Sequence, residues 1–223
     1  MTAGTGRTLV LRLDEATLAR DGTTLFSDLA FLSELGVRPI VIAPSHATAR
    51  TVVRMMNRTG NSAVGLSGAD AGMLPAAPGE HLGAVQPRLL TTLLEAGYLP
   101  VIEPLALGIF GKDVPVGPDD VALALAQAIA ATRAIFFHDA GGVIDAQTLQ
   151  LIDELTPAEA LALASDGDLD HDLRAAVRAA ALGVRGGVGA AQIVDGRIAH
   201  AAIIEFLTTR HLGTQVAGTV FTT

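Results

Sequence analysis

The chain has 223 residues, half of them hydrophobic and 17% charged, which supplies a core for one domain of generous size and excludes a disordered chain. A net charge of −8 with neutral histidines argues against a nucleic-acid-binding surface. The absence of cysteine excludes disulfides, zinc–thiolate sites and thiol nucleophiles. Of the 15 cationic residues Lys112 is the single lysine, which leaves 14 arginines.

In chain order, Met1 to Arg7 is short and polar and has no apolar signal-peptide core. Residues 8–13 (TLVLRL) read as a buried strand. Residues 24–35 place Leu25, Leu29 and Leu32 on one helical face, and Gly36 is a helix stop. Residues 37–43 (VRPIVIA) read as a second strand, with Pro39 an awkward residue for a central one. A helix over 47–58 turns Val52, Val53 and Met56 inward, and 62–66 is a short strand. Pro87 opens a helix over 87–96, and 98–103 is a strand. Asp119 is placed as the cap of a helix over 120–131, and 133–138 (RAIFFH) is a strand. Thr156-Pro157-Ala158-Glu159 is a capping-box pattern. Helix over 169–182, strand over 190–194 and helix over 199–209 complete the series. The segments 71–85 and 105–117, rich in Gly and Pro, read as hairpins or a flap at the sheet edge.

Strands alternating with helices predict a mostly parallel sheet covered on both faces. Ligands of such sheets sit beyond the carboxyl ends of the strands. That rule nominates Asp14 and Glu15, Pro44 to His46, Ser67 to Asp70 and His138 to Gly142. No apolar run reaches the roughly 18 residues of a membrane span, so the expectation is a soluble, cytoplasmic, single-domain protein over residues 1–223.

Four segments together resemble the amino-acid kinase family, and within it the acetylglutamate kinases. GNSAVGLSGADAGML (60–74) resembles GGxAVGLSGKDGGL. EAGYLPVIEPLALG (95–108) resembles DGYIPVIAPVG. AIFFHDAGGVID (134–145) resembles LILLTDVPGVLD. IVDGRIAHAAIIEFLTTRHLGTQV (193–216) resembles IIDGRxPHALLxELFTxxGxGT. The resemblance implies a three-layer αβα sandwich like that of carbamate kinase. It implies ATP and Mg²⁺, with γ-phosphoryl transfer to the side-chain carboxylate of an acylated amino acid in arginine biosynthesis, and a homodimer.

In the family, a first-strand lysine and a second lysine at a later helix start neutralise the transferring phosphoryl. An aspartate between them holds both. Glycines after the first two strands admit the phosphates and the substrate to the backbone. An arginine and an asparagine grip the substrate's carboxylate and amide.

Carried over residue by residue, the two lysines become Arg12 and, within a residue or two, Arg174, and the aspartate is Asp119. Asp139, Gly141, Gly142 and Ile144 fall on the nucleotide loop. Ser45, Gly65 and Ser67 fall on substrate-side positions. The departures are many. Asp14 and Glu15 stand where glycines should follow the first strand. Ala43-Pro44-Ser45-His46 replaces HGGG. Pro115 and Gly117 replace asparagines, and Ala69 replaces the lysine of SGKD. Only about a dozen residues separate Ser45 from Gly60, so the segment carrying the substrate arginine is largely missing.

Phosphoryl transfer depends on positioning and on positive charge around the β- and γ-phosphates. Arg12 and Arg174 would keep the charge, but a planar guanidinium needs more room than an ammonium. A carboxylate about 4 Å from a phosphate oxygen costs on the order of 4 kcal/mol at an effective dielectric near 20, which counts against Asp14 and Glu15. The expectation is therefore an acetylglutamate-kinase-like protein with impaired catalysis, acting as a nucleotide- or amino-acid-binding or partner subunit. The alternatives are an active acylamino-acid kinase that uses Arg12 and Arg174 as its cations, and a scaffold that uses the fold for assembly alone. Arg12 has a second reading as an edge-strand cation, and Asp119 one as a simple helix cap. His46 and His138 lie in strand-end loops and are read as ordinary polar histidines with no fixed ligand spacing, the alternative being a His–His or His138–Asp139 metal or general-base pair. The acidic run Asp166 to Asp172 fails the calcium-loop pattern, with His171 where glycine belongs and Val177 where glutamate belongs.

Overall fold

A computed structural model describes residues 7–78, 81–166 and 169–218. Residues 1–6, and Gly167 and Asp168 of the acidic run, lie outside the described residues. The elements run β1 (Thr8–Arg12), α1 (Glu15–Glu34), β2 (Arg38–Ile42), α2 (His46–Arg58), β3 (Ala63–Leu66), β4 (Ala76–Ala77), β5 (His81–Leu82), α3 (Arg88–Glu95) and β6 (Leu99–Ile102). They continue β7 (Leu105–Leu107), β8 (Asp113–Pro115), α4 (Pro118–Ala128), β9 (Arg133–Phe137), β10 (Glu154–Leu155), α5 (Pro157–Ser165), α6 (His171–Arg185), β11 (Ala190–Val194), α7 (Ala201–Leu207) and β12 (Thr214–Ala217).

Eight strands form one sheet in the order β10-β12-β11-β9-β1-β2-β6-β3. All neighbours are parallel except β11 and β12. β4–β5 and β7–β8 are small antiparallel hairpins, as the Gly- and Pro-rich segments led us to expect. Pro39 sits in a central strand without breaking it. The Arg38 N–H donates to Arg7 on the β1 side, so the nitrogen of Pro39 faces β6, whose pairing with β2 begins only at Val41. The missing donor falls where there is no partner.

Alternation along β1 divides the core in two. Leu9, Leu11 and Leu13 pack with Phe26 and Leu29 of α1, Val52 and Met56 of α2 and Phe206 of α7. Val10 faces the opposite layer, with Leu90 of α3, Val121 and Leu125 of α4, Ala160 of α5 and Val177 of α6. The architecture is a three-layer αβα sandwich. The same alternation turns Arg12, two residues beyond Val10, toward the start of α4.

The first helix differs from expectation. It begins at Glu15 rather than near residue 24, and Asp14 is its N-cap, accepting the Thr17 N–H at 3.0 Å. Asp119 is likewise not a cap: α4 starts at Pro118 after Gly117, and Asp119 is its second residue. The capping box at Thr156 and Glu159 forms as read, and Asp170 caps α6.

Candidate ligand cleft

Beyond the carboxyl ends of β1 and β9 lies a cleft of about 760 Å³. Arg12, the last residue of β1, reaches into its floor and is 8% exposed. One guanidinium nitrogen donates to the Phe137 carbonyl at 3.1 Å and the other to Asp119 Oδ2 at 3.1 Å. Nε lies 3.0 Å from Asp119 Oδ1, a close ionic contact without hydrogen-bond alignment. Burial pushes the Asp119 carboxyl above its usual value, and the Arg12 charge opposes that shift. Arg174, in the first turns of α6, lines the opposite wall and donates to the Leu169 carbonyl at 2.7 Å. The cleft thus brings Arg12, Asp119 and Arg174 together, with Asp139 on its rim.

Asp14, Glu15, Pro44 and His138, nominated as strand-end residues, line it too, and the remaining nominated residues do not. Ser45 caps α2 in a box with Thr48, and its hydroxyl donates to Glu15 at 3.2 Å. Gly65 is exposed on the edge strand β3. The Ser67 N–H donates to Asp70 at 2.7 Å. The next residue, Gly68, lies so close to the Leu105 carbonyl that a Cβ would be 2.2 Å from it. That corner joins β3 to β7. In the loop after β9, Gly142 has φ +147°, and a Cβ there would meet Leu151, the Thr214 hydroxyl and the Thr214 backbone nitrogen at 2.6, 2.9 and 3.1 Å. The Thr214 hydroxyl accepts the Val143 N–H at 2.8 Å. The protein's own chain closes around Gly142. Ile144 is 46% exposed and bridges to Leu151, and Gly141 is one residue from Gly142 on the side of Asp195. Arg197 pins this loop by donating to the Asp139 carbonyl at 2.8 Å while paired with Asp195.

Two charged cleft residues, Asp120 and Arg178, were not singled out from the sequence, and His171 and Asp172 were noted only as part of an acidic run. Asp120 and Arg178 form an exposed 3.7 Å ion pair at one end. His171 and Asp172 stand beside Arg174, and the His171 contact lowers the Asp172 carboxyl. Their signal was available: position 120 follows Asp119, and 171, 174, 175 and 178 are the helical repeat of one face of α6. His138, read as an ordinary loop residue, is 6% exposed on the cleft floor. Its Nδ1 accepts the Ala140 N–H at 3.1 Å. The same Nδ1 lies 3.3 Å from an Asp139 carboxylate oxygen. His46 pairs instead with Glu103 at 2.9 Å.

Comparison with known proteins identifies the family. The model of the amino acid kinase family matches residues 43–195. The chain belongs to the amino acid kinase family. Among curated relatives, the acetylglutamate kinase of Gluconobacter oxydans is 33% identical over 187 residues, covering 75% of this chain and 63% of that enzyme. The acetylglutamate kinase of Thermosynechococcus vestitus is 29% identical over 269 residues, covering 98% of this chain and 90% of the relative. This amino acid kinase family member is the shorter of the two, since 98% of 223 residues is set against 269 positions, leaving some 50 without a counterpart. Among solved structures, N-acetylglutamate synthase from Neisseria gonorrhoeae, complexed with coenzyme A and N-acetyl-glutamate, superposes with a TM-score of 0.80 at 22% identity, covering 97% of this chain and 60% of that one. Carbamate kinase from Giardia lamblia bound to AMP-PNP gives 0.73 at 13% identity, covering 97% and 100%. At those identities the structures share the fold.

Proposed function

We propose that this chain is an acetylglutamate-kinase-like protein whose phosphoryl transfer is impaired and whose cleft binds a small amino-acid-like ligand, as a binding or partner subunit. One observation carries the reading. Asp14 caps α1, so a carboxylate of the chain itself holds the helix N-terminal N–H of Thr17, the kind of donor that a phosphate would otherwise take. Its neighbours are unfavourable to a polyphosphate too. Three arginines line the cleft against six carboxylates, and Arg12 is already matched by Asp119. ATP does not fit these residues. A dimer is carried over from the family resemblance and belongs to the proposal.

A second reading keeps one observation in its favour: Arg12, Asp119 and Arg174, the positions that match the family's two lysines and the aspartate between them, do share one cleft. Under it the chain is an active acylamino-acid kinase. One experiment separates the two. Incubation with Mg-ATP, N-acetyl-L-glutamate and hydroxylamine is expected to give no hydroxamate above the no-enzyme control. ATP-dependent hydroxamate that disappears in Arg12→Ala would establish the second reading. Calorimetry with Mg-ATP is expected to show no binding heat.

A further inference from the structure

The cleft continues into a second hollow. A groove of about 640 Å³ runs along α4 and shares Asp120 and Arg178 with the cleft. Leu82, Val85, Val116, Leu123 and Ala124 form one apolar stretch of its wall, and Gln127 and the shared Asp120 and Arg178 line the rest. Between Asp120 and Ala128 the helix rises about 12 Å at 1.5 Å per residue. The Asp120–Arg178 pair at the junction is 3.7 Å apart and half-exposed on both sides, so it contributes little and can part.

The two hollows ask for different chemistry. Arg12 and His138 on the cleft floor and Arg174 on the wall are the basic side chains that line it. They suit a carboxylate. The rim offers carboxylates in excess, Asp14, Glu15, Asp139 and Asp172, which suit an ammonium and repel a second negative charge. The groove offers an apolar wall that begins one helical turn along from the floor.

From this continuity and this charge pattern we propose that the site takes a free α-amino acid with an aliphatic side chain. The carboxylate lies against Arg12 and His138, the unacylated ammonium lies toward the rim, and the side chain runs past Asp120 into the groove beside Leu123 and Ala124. This rests on the amino-acid-binding reading above and names its ligand class.

Calorimetric titration of the full chain with alanine, norvaline, norleucine and 2-aminooctanoate tests it. Affinity is expected to rise about threefold to fourfold per methylene. N-acetylnorleucine, which lacks the ammonium, and hexylamine, which lacks the carboxylate, are each expected to bind at least tenfold more weakly than norleucine. Ala124→Trp, which fills the groove, is expected to flatten the length dependence, and Ala128→Glu gives a second variant should the first fold poorly. Equal affinity across the series overturns the groove assignment and leaves the amino-acid-binding reading standing. No binding by any member overturns both. Tighter binding of N-acetylnorleucine than of norleucine overturns the ammonium assignment in favour of an acylated ligand.

Discussion

The Arg12–Asp119 pair is where a family position and a stability requirement meet. Both side chains are about nine-tenths buried, so neither charge has water to fall back on. Removing one partner of such a pair leaves the other uncompensated, at about 3–5 kcal/mol. Arg12→Met and Asp119→Asn are each expected to lose stability on that scale in urea unfolding, while the double substitution recovers part of the loss because no lone charge remains. The pH dependence has a defined sign. The folded Asp119 carboxyl is raised above 3.8, chiefly by burial. Its contribution is therefore full below the unfolded value and lost as pH rises through the folded one. Arg12→Met removes the cation that opposes the shift. Its deficit relative to the parent should be small near about pH 4 and widen toward about pH 7, and Asp119→Asn should abolish the widening. A deficit independent of pH would mean that Asp119 is not the group being stranded.

At the scale of elements, the legibility of the sequence was uneven for physical reasons. Six of the eight strands of the main sheet were read nearly to the residue because buried parallel strands are short unbroken apolar runs, such as 133–137 and 190–194, whereas the two-residue β10 and the half-buried, alternating β12 were not read. The start of α1 was not. Gly22 and the pair Thr23 and Thr24 lower helix propensity in its middle, and the apolar face becomes dense only from Leu25 onward. The first turn is held by its Asp14 cap rather than by burial of a long apolar stripe. Asp14→Ala should therefore cost about 1 kcal/mol of stability and, by freeing the Thr17 N–H, raise affinity for inorganic phosphate; a variant that loses stability and gains no phosphate binding contradicts the competition. The family-matched glycines were visible in the sequence, but their use was not, because Gly142 is hemmed by Thr214 from the far end of the chain. Gly142→Ala meets three contacts at 3.1 Å or less and a positive φ, and is expected to cost about 2 kcal/mol or more. Gly141→Ala has φ +74° and only an ordinary 3.4 Å contact to Asp195, which sets its cost at about 1–2 kcal/mol. Paired thermal denaturation curves of the two variants give the ordering. The reverse order would place the tight approach at the wrong glycine.

Across the whole molecule, the sheet is the shared wall of two cores. β1 gives Leu9 and Leu11, with Leu13 just beyond its end, to one layer and Val10 to the other, and β9 does the same with Ile135 and Phe137 against Ala134 and Phe136. A layer cannot melt alone without exposing one face of every central strand to water, at about 25 cal/mol per Å² of apolar surface. The cleft sits on this same wall: its floor is the ends of β1 and β9, one side is the start of α1 from the first layer, and the other is α4 and α6 from the second. Unfolding of either layer therefore dismantles the site. The chain has no tryptophan, so a single introduced indole reports one place. Phe31→Trp on the half-exposed side of α1 and Leu161→Trp on α5 put a reporter in each layer. Their fluorescence melts should share one midpoint with far-UV circular dichroism. Two separated midpoints would show that the layers unfold independently, and the ligand titrations would then have to be made below the lower one.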